Sequence, residues 1–173
     1  MSMRTLLLLR HAKAARDSDT GRDFDRPLAP RGKSEAPAMG RDIARLGLIP
    51  DHAIVSPARR TRETWDLAST VWTHSPSARL VDAIYEASVE TLLQLVRSTP
   101  PTVQCLMLVG HNPGIEDLAA DLAGPGSDAK AEVAMSAKFA PGALAVLQFG
   151  DDWAEVDPDG GMLVDFFAPT RLG

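Results

Sequence analysis

The stretch Thr5–Ala14, TLLLLRHAKA, decides the fold. Four consecutive leucines read as a buried strand. The run then meets Arg10 and His11, two polar side chains that a core does not hold without partners. In open α/β sheets, ligands bind outside the carboxyl ends of the strands. A guanidinium and an imidazole at such an end are therefore candidates for chemistry.

Outward from this stretch, short apolar runs alternate with longer amphipathic ones. Strands are predicted at 5–9, 52–55, 79–81, 103–109, 143–149 and 162–167. A helix is predicted from near Pro30 to a stop at Gly47, with a kink at Pro37. ARRTRETWDLASTVW reads as a helix ended before Pro76, and SVETLLQLVRS as one capped by Ser88. PGIEDLAADLAG reads as a helix with Pro113 in its first position and Gly124 at its stop. Strand followed by helix, four times over, predicts a single-domain, three-layer α/β/α sandwich over residues 1–173, with a mostly parallel central sheet. The last two strands, joined through GDDWAEVDPDGG, predict an antiparallel edge. Residues 12–27 form a polar loop carrying Asp17, Asp19, Asp23 and Asp25, and 125–135 reads as a second irregular stretch; either is placed to border a site.

Composition narrows the function classes. The 173 residues are 45% hydrophobic and 24% charged, as in ordinary globular proteins. A net charge of −5 provides no global basic field for nucleic acid or an anionic membrane, so an anionic substrate requires a local cationic pocket. Cys105 is the only cysteine and lies in an apolar run, which predicts an inert thiol and a reducing compartment. The first apolar run is too short for a membrane span or a signal core, so a cytoplasmic location is expected. HExxH, Cys/His clusters and a Walker loop are all missing from the sequence, and no metal or other cofactor is expected. DPDGG, 157–161, lacks the further ligands of a calcium loop and reads as a hairpin turn.

The residues that follow the strands form a consistent set. Arg10 and His11 follow the first, SPARRTRET the second, Tyr85 and Glu86 the third, and GHNPG with His111 the fourth. Together they deliver two histidines, several arginines and a carboxylate to one sheet edge, which is an anion site with a candidate nucleophile. Arginine suits phosphoryl oxygens because its guanidinium is permanently charged and bonds in a fork. Neighbouring arginines also lower the pKa of an imidazole, keeping it neutral and nucleophilic.

In chain order, LLLLRHAKA, VSPARRTRET and LMLVGHNPG resemble the signature of the histidine phosphatase (phosphoglycerate mutase-like) superfamily. The short chain, RPLAPRGKSEA and YEAS resemble its SixA-like branch of protein phosphohistidine phosphatases. Ala12 stands where the family commonly has glycine. The resemblance implies that His11 attacks phosphorus and is transiently phosphorylated, without a metal, while Arg10, Arg60 and His111 hold the phosphoryl oxygens. The family spacing of four residues after Ser56 selects Arg60 over Arg59 and Arg62. Glu86 falls where ester-cleaving relatives keep a proton-donating carboxylate, though it also reads as a surface cap. Lys13 is a further candidate substrate contact at the rim.

The expected partner is a phosphorylated protein, specifically phosphohistidine. The short stretch between Thr64 and Leu106 leaves no room for the insertion that shapes sugar-phosphate pockets in the mutases. Two alternatives stand beside it: a phosphomonoesterase for a small phosphorylated substrate, with Glu86 as essential acid, and a catalytically silent phosphate- or phosphopeptide-binding module. Asp23 and Asp25 are expected to organise their loop by pairing with Arg22 or Arg26, with a role in substrate choice left open.

Overall fold

A computed structural model describes residues 3–150 and 152–169. Its strands are β1 (Arg4–Arg10), β2 (His52–Val55), β3 (Ser77–Leu80), β4 (Cys105–Gly110), β5 (Leu144–Phe149) and β6 (Met162–Phe167). Its helices are α1 (Pro30–Arg45), α2 (Arg59–Ser69), α3 (Val89–Arg97), α4 (Gly114–Leu122) and α5 (Ala129–Ala137).

One sheet, in the order β3-β2-β4-β1-β5-β6, runs through the middle. β3, β2, β4 and β1 pair in parallel, whereas β5 is antiparallel to both β1 and β6. The reversed strand is thus one place in from the edge. The central position of β1, between β4 and β5, explains its leucines, because both of its faces are covered. Leu6 and Leu8 join Leu92, Leu118 and Met135 on the α3–α4–α5 side. Leu7 and Leu9 join Met39, Ile43 and Trp65 on the α1–α2 side. Each leucine is fully buried, a burial that stabilises by about 1.5–3 kcal/mol per side chain.

Two glycines allow this packing. A Cβ at Gly40 would drive into the Ala68 carbonyl, so glycine lets α1 lie directly against α2. A Cβ at Gly32 would drive into the Lys13 carbonyl, so glycine lets the loop after β1 rest on the first turn of α1.

The structure departs from the sequence expectations locally. α1 continues through Pro37 and ends before Gly47, which adopts φ +70°. Pro113 is the cap of α4, one place before its first helical residue. β3 begins two residues earlier than predicted, and all four of its residues are exposed. The second irregular stretch is mostly helical, being occupied from residue 129 by α5, which runs on to Ala137 and is opened by the Asp128 side chain accepting from the Ala131 N–H. Its sequence, AKAEVAMSA, carries no amphipathic period, but its alanines favour helix and the Asp128 cap starts it. Asp151, in the segment joining β5 to β6, lies outside the described residues.

Candidate active site

The carboxyl ends of β1, β2 and β4 are adjacent in the sheet, and the three segments that leave them converge. His11 is held at the end of β1 by its N–H donating to the Gly110 carbonyl (3.1 Å) and by Gly142 N–H donating to its carbonyl (2.9 Å). Ala12 follows, fully buried, with its N–H on Thr64 Oγ1 at 3.0 Å. Its backbone lies outside the left-handed region, so the methyl group that replaces the family's glycine is accommodated.

The His11 ring is 7% exposed, and its Nδ1 lies 2.7 Å from the Ala12 carbonyl. A carbonyl only accepts, so Nδ1 carries the proton and Nε2 keeps a bare lone pair. Burial, followed by the charges of His111, Arg60 and Arg10, pushes the His11 pKa down to about 3. It is a neutral imidazole at physiological pH.

Arg10 donates from Nη1 to the Phe139 carbonyl at 2.8 Å. Arg60, in the first turn of α2, is buried and donates from Nη1 to the Asp23 carbonyl (2.8 Å) and from Nη2 to Asp23 Oδ2 (3.1 Å). His111, after β4, has Nε2 at 2.8 Å from Ser56 Oγ, and its ring stands 5.4 Å from that of His11. Burial and then Arg60 push the His111 pKa down to about 4. Three buried nitrogens are left with no partner among the described residues: Arg10 Nε, Arg60 Nε and His111 Nδ1. Buried donors are normally paired, so three orphans from three converging segments mark a place for an acceptor-rich ligand.

A cavity of about 450 Å³ is lined by Arg60, His111, Tyr85, Glu86 and Asp23 with the start of α4, while Arg10 and His11 are not among its lining residues. Glu86 is exposed at its wall, in a turn where it adopts φ +57°. Lys13 is not drawn in: its side chain is exposed and makes no ion pair or hydrogen bond among the described residues. Arg59 pairs with Glu63 at 3.3 Å, and Arg62 donates to the Pro57 carbonyl, so neither faces the site. Cys105 is half-buried, and burial raises its thiol to about 12, which leaves it inert. Among the described residues no cluster of three or more His, Cys, Asp or Glu could hold a metal, and no helix is long and apolar enough to cross a membrane.

The structure brings in two further groups, of which Asp23 was left open above. Ser56 is the hydrogen-bond partner of His111, and Asp23 contacts Arg60, Arg26 and Tyr85 at once. The hint for Asp23 was its place in a polar loop between arginines; its long-range partners have no local signature.

The two histidines make stability depend on pH. In the unfolded chain each takes up a proton near 6.5, whereas in the folded chain His11 does so only near 3 and His111 near 4. Between these values the unfolded state binds more protons, so stability is full above 6.5 and falls as pH falls. At pH 5 each histidine withdraws about 2 kcal/mol. Urea unfolding at pH 7.5 and pH 5 will show a smaller acid loss in His111→Gln than in the unaltered chain; equal losses refute the assignment.

The sequence model of the histidine phosphatase superfamily (branch 1) matches residues 6–102. An uncharacterized protein of Mycobacterium tuberculosis (strain ATCC 25618 / H37Rv) is 37% identical over 93% of this chain and 99% of its own length. A solved structure from Nakamurella multipartitia, assigned as a phosphohistidine phosphatase SixA, is 31% identical over 99% of both chains, with a TM-score of 0.85. Its counterpart from Agrobacterium tumefaciens is 32% identical over 96% of this chain and 98% of its own, with a TM-score of 0.81.

Proposed function

The chain belongs to the SixA-like branch of the histidine phosphatase superfamily, and from that premise we propose that it is a metal-independent phosphatase that passes the phosphoryl group through His11 and acts on phosphohistidine of a protein. The observation that supports the reading is three buried nitrogens without a partner, Arg10 Nε, Arg60 Nε and His111 Nδ1, on segments that leave adjacent strand ends together with a His11 whose Nε2 is bare.

Phosphoryl transfer asks for in-line alignment and for positive charge on the equatorial oxygens. His11 Nε2 attacks phosphorus while the bond to the leaving nitrogen breaks, and the departing imidazole takes a proton from solvent or from Glu86. Arg10 and Arg60 hold the oxygens with permanent charge. The Ser56 hydroxyl has His111 Nε2 as its only acceptor among the described residues, so it donates there and leaves the His111 proton on Nδ1 for the phosphoryl group. The dipole of α4, whose first residue Gly114 lines the cavity, favours an anion there. Water then attacks the phosphohistidine, and phosphate departs as His11 recovers its lone pair.

Phosphohistidine is favoured over an ester because imidazole leaves readily once protonated, whereas an alkoxide needs a positioned acid. Two solved relatives above 30% identity bear the name phosphohistidine phosphatase SixA. Glu86 at the cavity wall favours the rival, a small-molecule phosphomonoesterase. Glu86→Gln separates the two. Turnover of a phosphohistidine peptide is expected to stay near that of the unaltered chain while turnover of an aryl phosphate falls by about 10² to 10⁴. Equal losses on both substrates favour the esterase, and no turnover of phosphohistidine by the unaltered chain refutes the proposal.

A further inference from the structure

Asp23 is half-exposed and sits on the polar loop after β1, yet it spends both its main-chain and its side-chain oxygens on one buried guanidinium. Its carbonyl accepts from Arg60 Nη1 at 2.8 Å and its Oδ2 from Arg60 Nη2 at 3.1 Å. The same Oδ2 accepts from the Tyr85 hydroxyl at 2.6 Å, while Oδ1 accepts from Arg26 Nε at 3.0 Å. Arg26 is fixed in turn by donating from Nη1 to the Ala15 carbonyl at 2.9 Å. One carboxylate therefore joins the loop, the first turn of α2 and the turn before α3, and it does so at the wall of the cavity.

A bond of this kind contributes little to stability, since half-exposed ion pairs are worth about 0–1 kcal/mol. A negative charge beside an anion site also opposes the ligand. Its geometric effect is specific, however. With both Nη groups of Arg60 tied to Asp23, the guanidinium cannot turn about its stem, and the donor left without a partner is Nε. Tyr85 completes the clamp: its ring lies 6.0 Å from Arg60 Cζ and packs edge-on against His111 at 5.5 Å.

We infer that Asp23 is a positioning residue, which clamps Arg60 by its Nη edge so that Nε–H is held toward the phosphoryl site, and which ties that arginine to the loop over the cavity. The inference rests on the phosphatase reading for its catalytic consequence, but the clamp itself is a statement about Arg60 alone.

Asp23→Ala removes the carboxylate and keeps the carbonyl; Asp23→Asn restores one acceptor without the charge. The readouts are the Arg60 Nε–H resonance in ¹⁵N–¹H correlation spectra, identified by its loss in Arg60→Lys, titration with inorganic phosphate, thermal melting, and turnover of a phosphohistidine peptide. In the unaltered chain the resonance is expected to be sharp and to shift with phosphate. In Asp23→Ala it broadens, and turnover falls by about 10², the scale of a small misplacement. Phosphate binding stays equal or tightens because a negative charge has gone, the melting temperature barely moves, and Asp23→Asn recovers part of the turnover.

A sharp, unshifted Arg60 resonance in Asp23→Ala overturns the clamp, whatever the activity. Turnover, phosphate affinity and melting temperature falling together, with the resonance intact, also overturn it in favour of a structural role. An unaltered chain with the clamp signature but no turnover refutes the proposed function alone.

Discussion

His11→Ala is expected to lose turnover on the order of 10⁶-fold, the scale reached when a covalent nucleophile is removed, while still binding inorganic phosphate. The dissociation follows from geometry. The orphan donors belong to Arg10, Arg60 and His111, so the anion site survives the substitution, whereas the bare Nε2 does not. Both phosphohistidine and aryl phosphate turnover should collapse together, because the step removed is common to both. Brief incubation with a labelled phosphodonor, followed by separate acid and alkaline quenches, checks the chemistry. A phosphoramidate survives alkali and is lost in acid, so label with that behaviour in the unaltered chain, missing from His11→Ala, establishes the intermediate. Label on another residue, or turnover retained by His11→Ala, removes His11 from its role.

The four leucines made the centre of the fold readable. A run apolar at every position, rather than at every second one, has no solvent face, so it belongs to a strand covered on both sides, and Leu6 to Leu9 divide between the two helical layers. Arg10, His11 and His111 stood out as candidates because they lie at strand ends that the topology makes neighbours, whereas Arg60 was chosen over Arg59 and Arg62 only by the resemblance's spacing after Ser56. What escaped lacked a local pattern. α5 has no apolar stripe, and its start is set by a single side-chain cap. β3 is exposed at every residue, so burial left no alternation to mark its ends. Asp23 meets Arg60 and Tyr85 across separations of 37 and 62 residues, contacts that only the folded sheet edge creates. Lys13, read from its nearness to His11 as a contact at the rim, is exposed, and sequence neighbourhood alone carries no more than that.

Arg60 should show the next largest effect, and the comparison between two replacements isolates what an arginine supplies there. Removing an electrostatic donor from a preorganised site costs about 3–4 kcal/mol in the barrier, or roughly 10² to 10³ in rate. Arg60→Met should reach the upper end, because it also strands the Asp23 carboxylate, now without Arg60 beside it, at the cavity wall against an incoming dianion. Arg60→Lys keeps the charge but has no Nε–H and no fork, so one ammonium must serve both the Asp23 carboxylate and the phosphoryl oxygens. It should pair with Asp23, the nearer anion, and lose on the order of 10² in kcat/KM. Charge alone would predict the opposite, a lysine close to full activity. Adding Asp23→Asn to Arg60→Lys frees that ammonium, so the double substitution should turn over faster than Arg60→Lys, a non-additivity expected of residues in one network. Steady-state rates of the unaltered chain, Arg60→Lys, Asp23→Asn and the double substitution decide it: Arg60→Lys at unaltered activity would show that the guanidinium shape is immaterial, and a double substitution slower than both single ones would show that Asp23 and the phosphoryl oxygens do not compete for the donors at position 60.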